Sequence, residues 1–254
     1  MKLKRENWTR EELLIAFNLY CKIPFGRIYQ SNPVIIELAN NIGRTPGAVA
    51  MKMVNFASLD PTHRQRNVKG LQHASKEDKR IWEEFHEDWE NLASQSQRAI
   101  QQLSKTTEQE EVFELSEPSV TEIERSVKVR IVQRFFRDTV LASYNFNCAV
   151  CRISLPAMLN ASHIIPWALD KQRRADPRNG MCLCALHDRA FDRGLIAVRE
   201  DFKIAVSREI KTPNASKLHR IGLIEIEGEK INLPDRFGPD PIALAYHREK
   251  IFLQ

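Results

Sequence analysis

Cys148-Ala-Val-Cys151, then Asn160-Ala-Ser-His-Ile-Ile-Pro-Trp167, then Asn179-Gly-Met-Cys-Leu-Cys-Ala-Leu-His-Asp-Arg-Ala-Phe-Asp-Arg-Gly194 are the segments that decide the fold of this chain. Two clusters of metal-type ligands flank His163, which sits just before an Ile-Ile-Pro bend, and an Asn-Gly turn leads into a short amphipathic helix. That order suits a strand pair followed by a helix, wrapped around one ion. Cys148-x-x-Cys151 paired with Cys184-x-x-His187 has the spacing of a Cys3His zinc site. On the helix, Asp188 and Asp192 are four apart and face the same way, and hard carboxylate oxygens suit Mg2+ or Mn2+.

Outward from this centre, 254 residues are enough for two globular domains, each with its own core. A net charge of +5 is a modest basic excess that permits a polyanionic partner without requiring one. No run approaches the roughly 18 apolar residues of a membrane helix, and Met1-Lys-Leu-Lys-Arg-Glu-Asn-Trp8 lacks the apolar core of a signal peptide, so a cytoplasmic protein with no membrane partner is expected. Four of the five cysteines fall within 148–184. In a reducing compartment such clustering reads as metal ligation rather than disulfides. Cys182 is expected to be buried and inert, and Cys21 to belong to the first domain's core.

Near the start, Thr9 and Glu12 make a capping box ahead of Leu13, Ala16, Phe17 and Tyr20, which predicts a helix over 9–21. Asn32-Pro33 opens a second helix that stops at Gly43, and Thr45-Pro46 opens a third with Val49, Met53 and Phe56 inward. Arg44, Lys52 and Asn55 are expected outward. A fourth helix is predicted over 75–93 on the stripe Ile81, Trp82, Phe85, Trp89, Leu92. From Ser94 to Thr121 the composition turns to Ser, Gln, Thr and Glu, which reads as a flexible linker or a loosely held helix. The period returns over 122–144, with Lys128, Arg130, Arg134 and Arg137 on the other faces. Strand-like runs follow at 195–198 and 202–206, then a hairpin at 221–226 and 230–233, and a last helix over 241–252.

Trp8-Thr-Arg-Glu-Glu-Leu13 followed by Leu38-Ala-Asn-Asn-Ile-Gly-Arg-Thr-Pro-Gly-Ala-Val-Ala-Met-Lys52 resembles the Myb-type helix-turn-helix pattern. The resemblance implies a third helix in the DNA major groove, with Arg44, Lys52 and Asn55 reaching phosphate or bases. Small trihelical units also serve as protein-docking modules.

The central stretch resembles the HNH endonuclease superfamily, in the branch found in bacterial restriction-type proteins. Ala161-Ser-His-Ile-Ile-Pro-Trp167, Asn179-Gly-Met-Cys-Leu-Cys184 and His187-Asp-Arg-Ala-Phe-Asp-Arg-Gly194 carry it. The implied fold is a ββα-metal nuclease domain, so the whole chain is expected to be α+β. An all-α, helix-turn-helix-like domain spans 1–93 and a linker 94–121, and the nuclease domain, with flanking helices and a small β hairpin, spans 122–254. The implied activity is metal-dependent hydrolysis of phosphodiester bonds in double-stranded DNA, in restriction of or defence against foreign or modified DNA. Hydrolysis needs a base for water and a divalent cation for the phosphorane. His163 is the candidate base. Asn179 stands where the family has a residue that orients the histidine or tightens the turn. Asp188 and Asp192 match the positions of metal-binding histidines, and the family's final histidine falls one residue early, at His187. Either His187 is the catalytic ligand, or it joins Cys148, Cys151 and Cys184 on a structural zinc while Asp188 meets the catalytic metal. Ser162 stands where many HNH proteins have a metal-binding residue. That departure leaves open a decayed, DNA-binding regulator, and an enzyme acting on RNA or branched DNA is a third alternative. Double-strand cleavage by a one-site nuclease calls for a homodimer or two visits.

Overall fold

Thr9 accepts from the Glu12 amide while the Glu12 carboxylate accepts from the Thr9 amide, and this reciprocal cap starts helix α1 (Arg10–Lys22). The computed structural model describes residues 7–65, 74–105 and 120–254. They form two units divided between Phe135 and Phe136. In the first unit, Asn32 and Thr45 cap α2 (Pro33–Asn41) and α3 (Pro46–Ala57), each with proline in the first turn, and Gly43 takes φ +67° between them. A short α4 (Pro61–Gln65) precedes α5 (Lys76–Glu87) and α6 (Trp89–Lys105). The rings of Phe56, Phe85 and Trp89 gather around Phe17 with centroids 4.9, 4.4 and 6.2 Å away, so the spaced aromatics of separate helices make one core.

One expectation for this unit is corrected. The helix expected over 75–93 is broken at Asp88, whose extended backbone ends α5 and whose carboxylate accepts from the Asn91 amide to start α6. Of the linker and the helix that the composition from Ser94 allows, the described residues form the helix, α6 running on to Lys105. Its serines close on the helix: Ser94 Oγ donates to the Glu90 carbonyl, and Ser96, bonded to the Ala93 carbonyl, accepts from buried Asn18 at 2.7 Å. The rest of that stretch, 106–119, lies outside the described residues.

Each of the three residues expected to reach DNA meets a carboxylate of its own unit. Lys52 is buried and its ammonium lies 2.7 Å from Asp78, a carboxylate with no exposure. Asn55 donates to the other Asp78 oxygen at 3.5 Å. Arg44 grips Glu12 through two nitrogens, at 3.0 and 2.8 Å, and lies over the Trp8 ring. Polarity alone does not tell a solvated face from one that meets a distant acid. Removing one partner of a buried pair strands the other charge, so Lys52→Ala is expected to cost about 3 kcal/mol. The urea midpoint of the first unit checks this. An unchanged midpoint with weakened DNA binding would restore the outward role.

Helix α7 (Val120–Ser143) crosses the division. In the second unit, strands β1 (Leu159–His163) and β2 (Gly180–Cys184) pair antiparallel with Leu159 opposite Cys184 and His163 opposite Gly180, and α8 (Ala185–Asp192) follows directly. The ββα order is therefore as expected. At Gly180 α7 approaches closely: a Cβ there would lie 2.5 Å from Val140 Cγ2 and 2.7 Å from Phe136 Cζ. Phe136, Val140, Leu159, Leu183, Phe191, Ile196 and Leu244 share one core.

Beyond α8, Gly194 turns the chain at φ +68°, and β3 (Ile196–Val198) pairs with β4 (Ile204–Val206). The hairpin expected at 221–226 and 230–233 is absent among the described residues. A short α9 (Lys217–His219) runs into a π-helix over Arg220–Ile224. The second run joins β4 instead: Gly228 donates to the Ile204 carbonyl, Ile204 to the Glu229 carbonyl, and Ile231 to that of Phe202. The last helix, α10 (Pro241–Lys250), ends two residues short of the expected 252. No described helix is long and apolar enough to cross a membrane.

Candidate metal centre and active site

The Cys148-Cys151 loop is a tight knuckle. Cys148 N–H donates to the Ile153 carbonyl, Arg152 N–H donates to the Cys148 carbonyl, and Arg152 takes a left-handed φ of 60° to close the turn. Ala149 N–H bonds the Cys182 carbonyl at 2.7 Å, which fastens the knuckle to β2. Cys184 ends that strand and caps α8, and His187 lies one turn along. The result brings Cys148, Cys151, Cys184 and His187 together, with every ligand atom within 4.8 Å of the others.

The spacing fits a tetrahedral ion. A Zn–S bond of about 2.3 Å puts two sulfurs roughly 3.8 Å apart, and Cys151 Sγ lies 3.8 Å from Cys184 Sγ. His187 turns Nδ1 to the sulfurs, 3.1 Å from Cys184 and 3.6 Å from Cys148. Its Nε2 is 2.9 Å from the Gly222 carbonyl. A carbonyl only accepts, so Nε2 carries the hydrogen and Nδ1 keeps its lone pair for a metal, which is the usual outer-shell arrangement of a ligating histidine. The Cys148 thiol is held below its ordinary range, first by hydrogen bonding from Cys184, against burial, with backbone donors at Cys151, Cys184 and Val150 adding to it. The other two ligand thiols move the opposite way, Cys151 raised by burial and Cys184 by its hydrogen bond to Cys148 and then by burial, so the case for an ion here rests on the spacing and the histidine tautomer. Cys182 stands apart: burial first, then the charge at Cys148, pushes its thiol up to about 12.

Asp188 is adjacent to His187 but points elsewhere, since neighbours on a helix are splayed apart. Its Oδ2 accepts from Asn160 Nδ2 at 2.7 Å, and one turn on Asp192 Oδ1 lies 3.5 Å from the Ser162 hydroxyl. Two carboxylates thus line up along β1. Asp192 is an exposed residue, yet partial burial of its carboxyl first, and the Asp188 charge second, raise its pKa. Hard, acidic oxygens crowded in this way fit a divalent cation.

His163, the last residue of β1, turns its ring onto Phe136, with centroids 3.7 Å apart and planes 11° from parallel, and meets Trp167 edge-to-face with centroids 5.6 Å apart. Its Nε2 lies 3.0 Å from the Arg174 carbonyl. By the same logic Nε2 is the donor, and Nδ1 holds a lone pair with no hydrogen-bond partner among the described residues. Burial lowers the imidazole pKa, and the Arg174 contact opposes it. Asn179 is fully buried and staples the loop that carries that carbonyl. It accepts from Ile165 N–H at 2.8 Å and donates to the Ile165 and Arg173 carbonyls at 3.0 and 3.4 Å. Its side chain therefore does more than form an Asn-Gly turn.

Asn160, Arg174 and Gly222 do not stand out in the sequence. The last two contribute only backbone carbonyls, which leave no residue-type signal. Asn160 has one: it sits two residues before Ser162 on a strand, as Asp188 sits four before Asp192 on a helix, and those spacings match.

Residues 148–199 match a family model described as HNH endonuclease. No curated protein matches the chain. The match supports the HNH superfamily for this segment and, with the Cys/His cluster, a metal-dependent nuclease acting on nucleic acid.

A structural zinc contributes on the order of 10 kcal/mol of apparent binding energy, all of it coupled to folding. Cys148→Ser and Cys184→Ser are therefore expected to lower the melting temperature of the second unit sharply and to drop bound zinc from about one per chain toward none, read by calorimetry and elemental analysis. Unchanged melting in both variants would mean that no structural ion is held there.

Proposed function

We propose that the chain is a DNA endonuclease in which His163 is the general base, Asp188 and Asp192 hold a divalent cation, and Cys148, Cys151, Cys184 and His187 hold a structural zinc. The observation that carries it is the His163 ring, held at Nε2 by the Arg174 carbonyl with a lone pair at Nδ1, beside the Ser162–Asp192 contact at the end of the same strand. A cation bound at the carboxylates would supply Lewis-acid neutralisation of the charge on the phosphorane and the departing 3′ oxygen. The chain's own residues do the rest. Nδ1 takes a proton from the attacking water, Phe136 and the Arg174 carbonyl fix the ring, and Asn179 fixes the loop. A neutral imidazole is the form that accepts the proton.

Restriction of foreign or modified double-stranded DNA is the role that the resemblance of 161–167, 179–184 and 187–194 favours, with a homodimer or two visits for double-strand cleavage. The first unit keeps a positioning role on the nucleic acid only through residues other than Arg44, Lys52 and Asn55, whose polar atoms are engaged with Glu12 and Asp78.

Plasmid nicking with Mg2+, Mn2+ and EDTA tests the reading: cleavage with either ion and none with EDTA is expected, and a protein inert under all three is a binding protein only. His163→Ala should lower kcat by roughly 100-fold or more, the span of general-base catalysis, with Kd for DNA nearly unchanged. Activity equal to the parent would remove the base assignment.

The pH dependence follows from the lowered His163 pKa. Because folding favours the neutral ring, the base stays unprotonated below the ordinary imidazole value, and the acid limb of kcat/KM should lie below about 6.5. A limb above that value would contradict the buried, neutral base.

A further inference from the structure

Asp188 and Asp192 make no ion pair among the described residues; Arg189 and Arg193, their neighbours on α8, act on Asp192 through charge alone, and Arg173 and Arg174 of the preceding loop are engaged elsewhere. Arg173 reaches Asp170 and Asp240 instead, and Arg174 reaches the Trp167 carbonyl and ring. The hydrogen bonds to the two carboxylates come from neutral groups of β1. The pleat puts Asn160 and Ser162 on one face of that strand, and the two helix carboxylates repeat at nearly the same interval as the two strand residues. The contacts are unequal: Ser162 to Asp192 is 3.5 Å, a weak hydrogen bond, whereas Asn160 Nδ2 to Asp188 Oδ2 is 2.7 Å and charge-assisted. The amide orientation is fixed by chemistry, because a carboxylate beside it accepts only from the NH2 end.

We infer that Asn160 is the positioning residue of the divalent-cation site. Its amide holds one oxygen of Asp188, so that the other is turned to a cation shared with Asp192, and it provides a closer strand-borne contact than the 3.5 Å one that Ser162 makes. A neutral donor is suited to this task. A lysine or arginine at 160 would neutralise the carboxylate and compete with the cation, whereas an amide orients it and leaves its charge in place. The inference rests on the reading of Asp188 and Asp192 as cation ligands.

The test uses the zinc-loaded full chain, with Mn2+ as the probe, titrated by calorimetry in the absence of DNA. Asn160→Ala and the near-isosteric Asn160→Leu are compared with Asp188→Ala, with melting temperature and zinc content as the measure of folding. Loss of an outer-shell partner costs about 10-fold or more in metal affinity. Both Asn160 variants are therefore expected to raise the Kd for Mn2+ by about 10-fold, to keep their zinc and their melting temperature, and to recover most of kcat at saturating Mn2+ with KM for DNA unchanged. A residue that merely fastened α8 to β1 would lower the melting temperature and would not give that split. Parent-like Mn2+ affinity in a folded Asn160 variant, while Asp188→Ala has lost it, overturns the inference and leaves the cation site standing. Parent-like affinity in Asp188→Ala overturns the site and the inference with it. Should Asn160→Ala fail to fold, the Mn2+ affinity of Asn160→Leu separates the same outcomes.

Discussion

Four ligand atoms from three pieces of chain, the Cys148–Cys151 knuckle, the end of β2 and the first turn of α8, lie within 4.8 Å of one another, and the second unit depends on that gathering. The strands it joins are only five residues each, and two such strands do not hold together in water unaided. An ion bonded to both the knuckle and α8 would fix where the helix starts and how it is rotated about its axis. Rotation is the variable that matters. With His187 aimed at the sulfurs, Asp188 and Asp192 are carried round to face β1.

The same economy governs the proposed base. A histidine at the end of a short strand has several rotamers open to it, and His163 is held by two independent contacts, the flat face of Phe136 and the Arg174 carbonyl. Neither lies on β1. Phe136 belongs to α7, and Arg174 to the loop that Asn179 closes from its buried position. The position of a side chain on the hairpin is thus set by a helix and a loop outside it, and Gly180 leaves room for Val140 and Phe136 of α7.

How much of this is legible in the sequence depends on the range of the interactions. Thr9, Asn32 and Thr45 cap helices through residues two or three positions away, and the cysteine and histidine spacings are those of two short turns, so both can be read directly. Lys52 and Arg44 meet acids 26 and 32 positions away, and nothing in the local pattern distinguishes a lysine that faces water from one that faces Asp78. The run Ile221–Ile226 has the composition of a strand, yet it is 228–231 that bonds the edge of β4 left free by β3, and the apolar run coils into a π-helix that leaves the Gly222 carbonyl to His187. Ser94 and Ser96 lower the hydropathy to that of a linker while bonding back to helix carbonyls and packing against α1. In each case the composition is plain and the deciding partner lies far along the chain.

The metal-binding centre and the rotation of α8 stand or fall together, and X-ray absorption at the zinc edge of the purified full chain addresses them directly. The expected first shell is three sulfurs at about 2.3 Å and one nitrogen at about 2.0 Å, unchanged when Mg2+ or Mn2+ is added. A shell of nitrogen and oxygen only, or one that loses its nitrogen when the second cation is added, would take His187 out of the cluster and turn Asp188 away from β1.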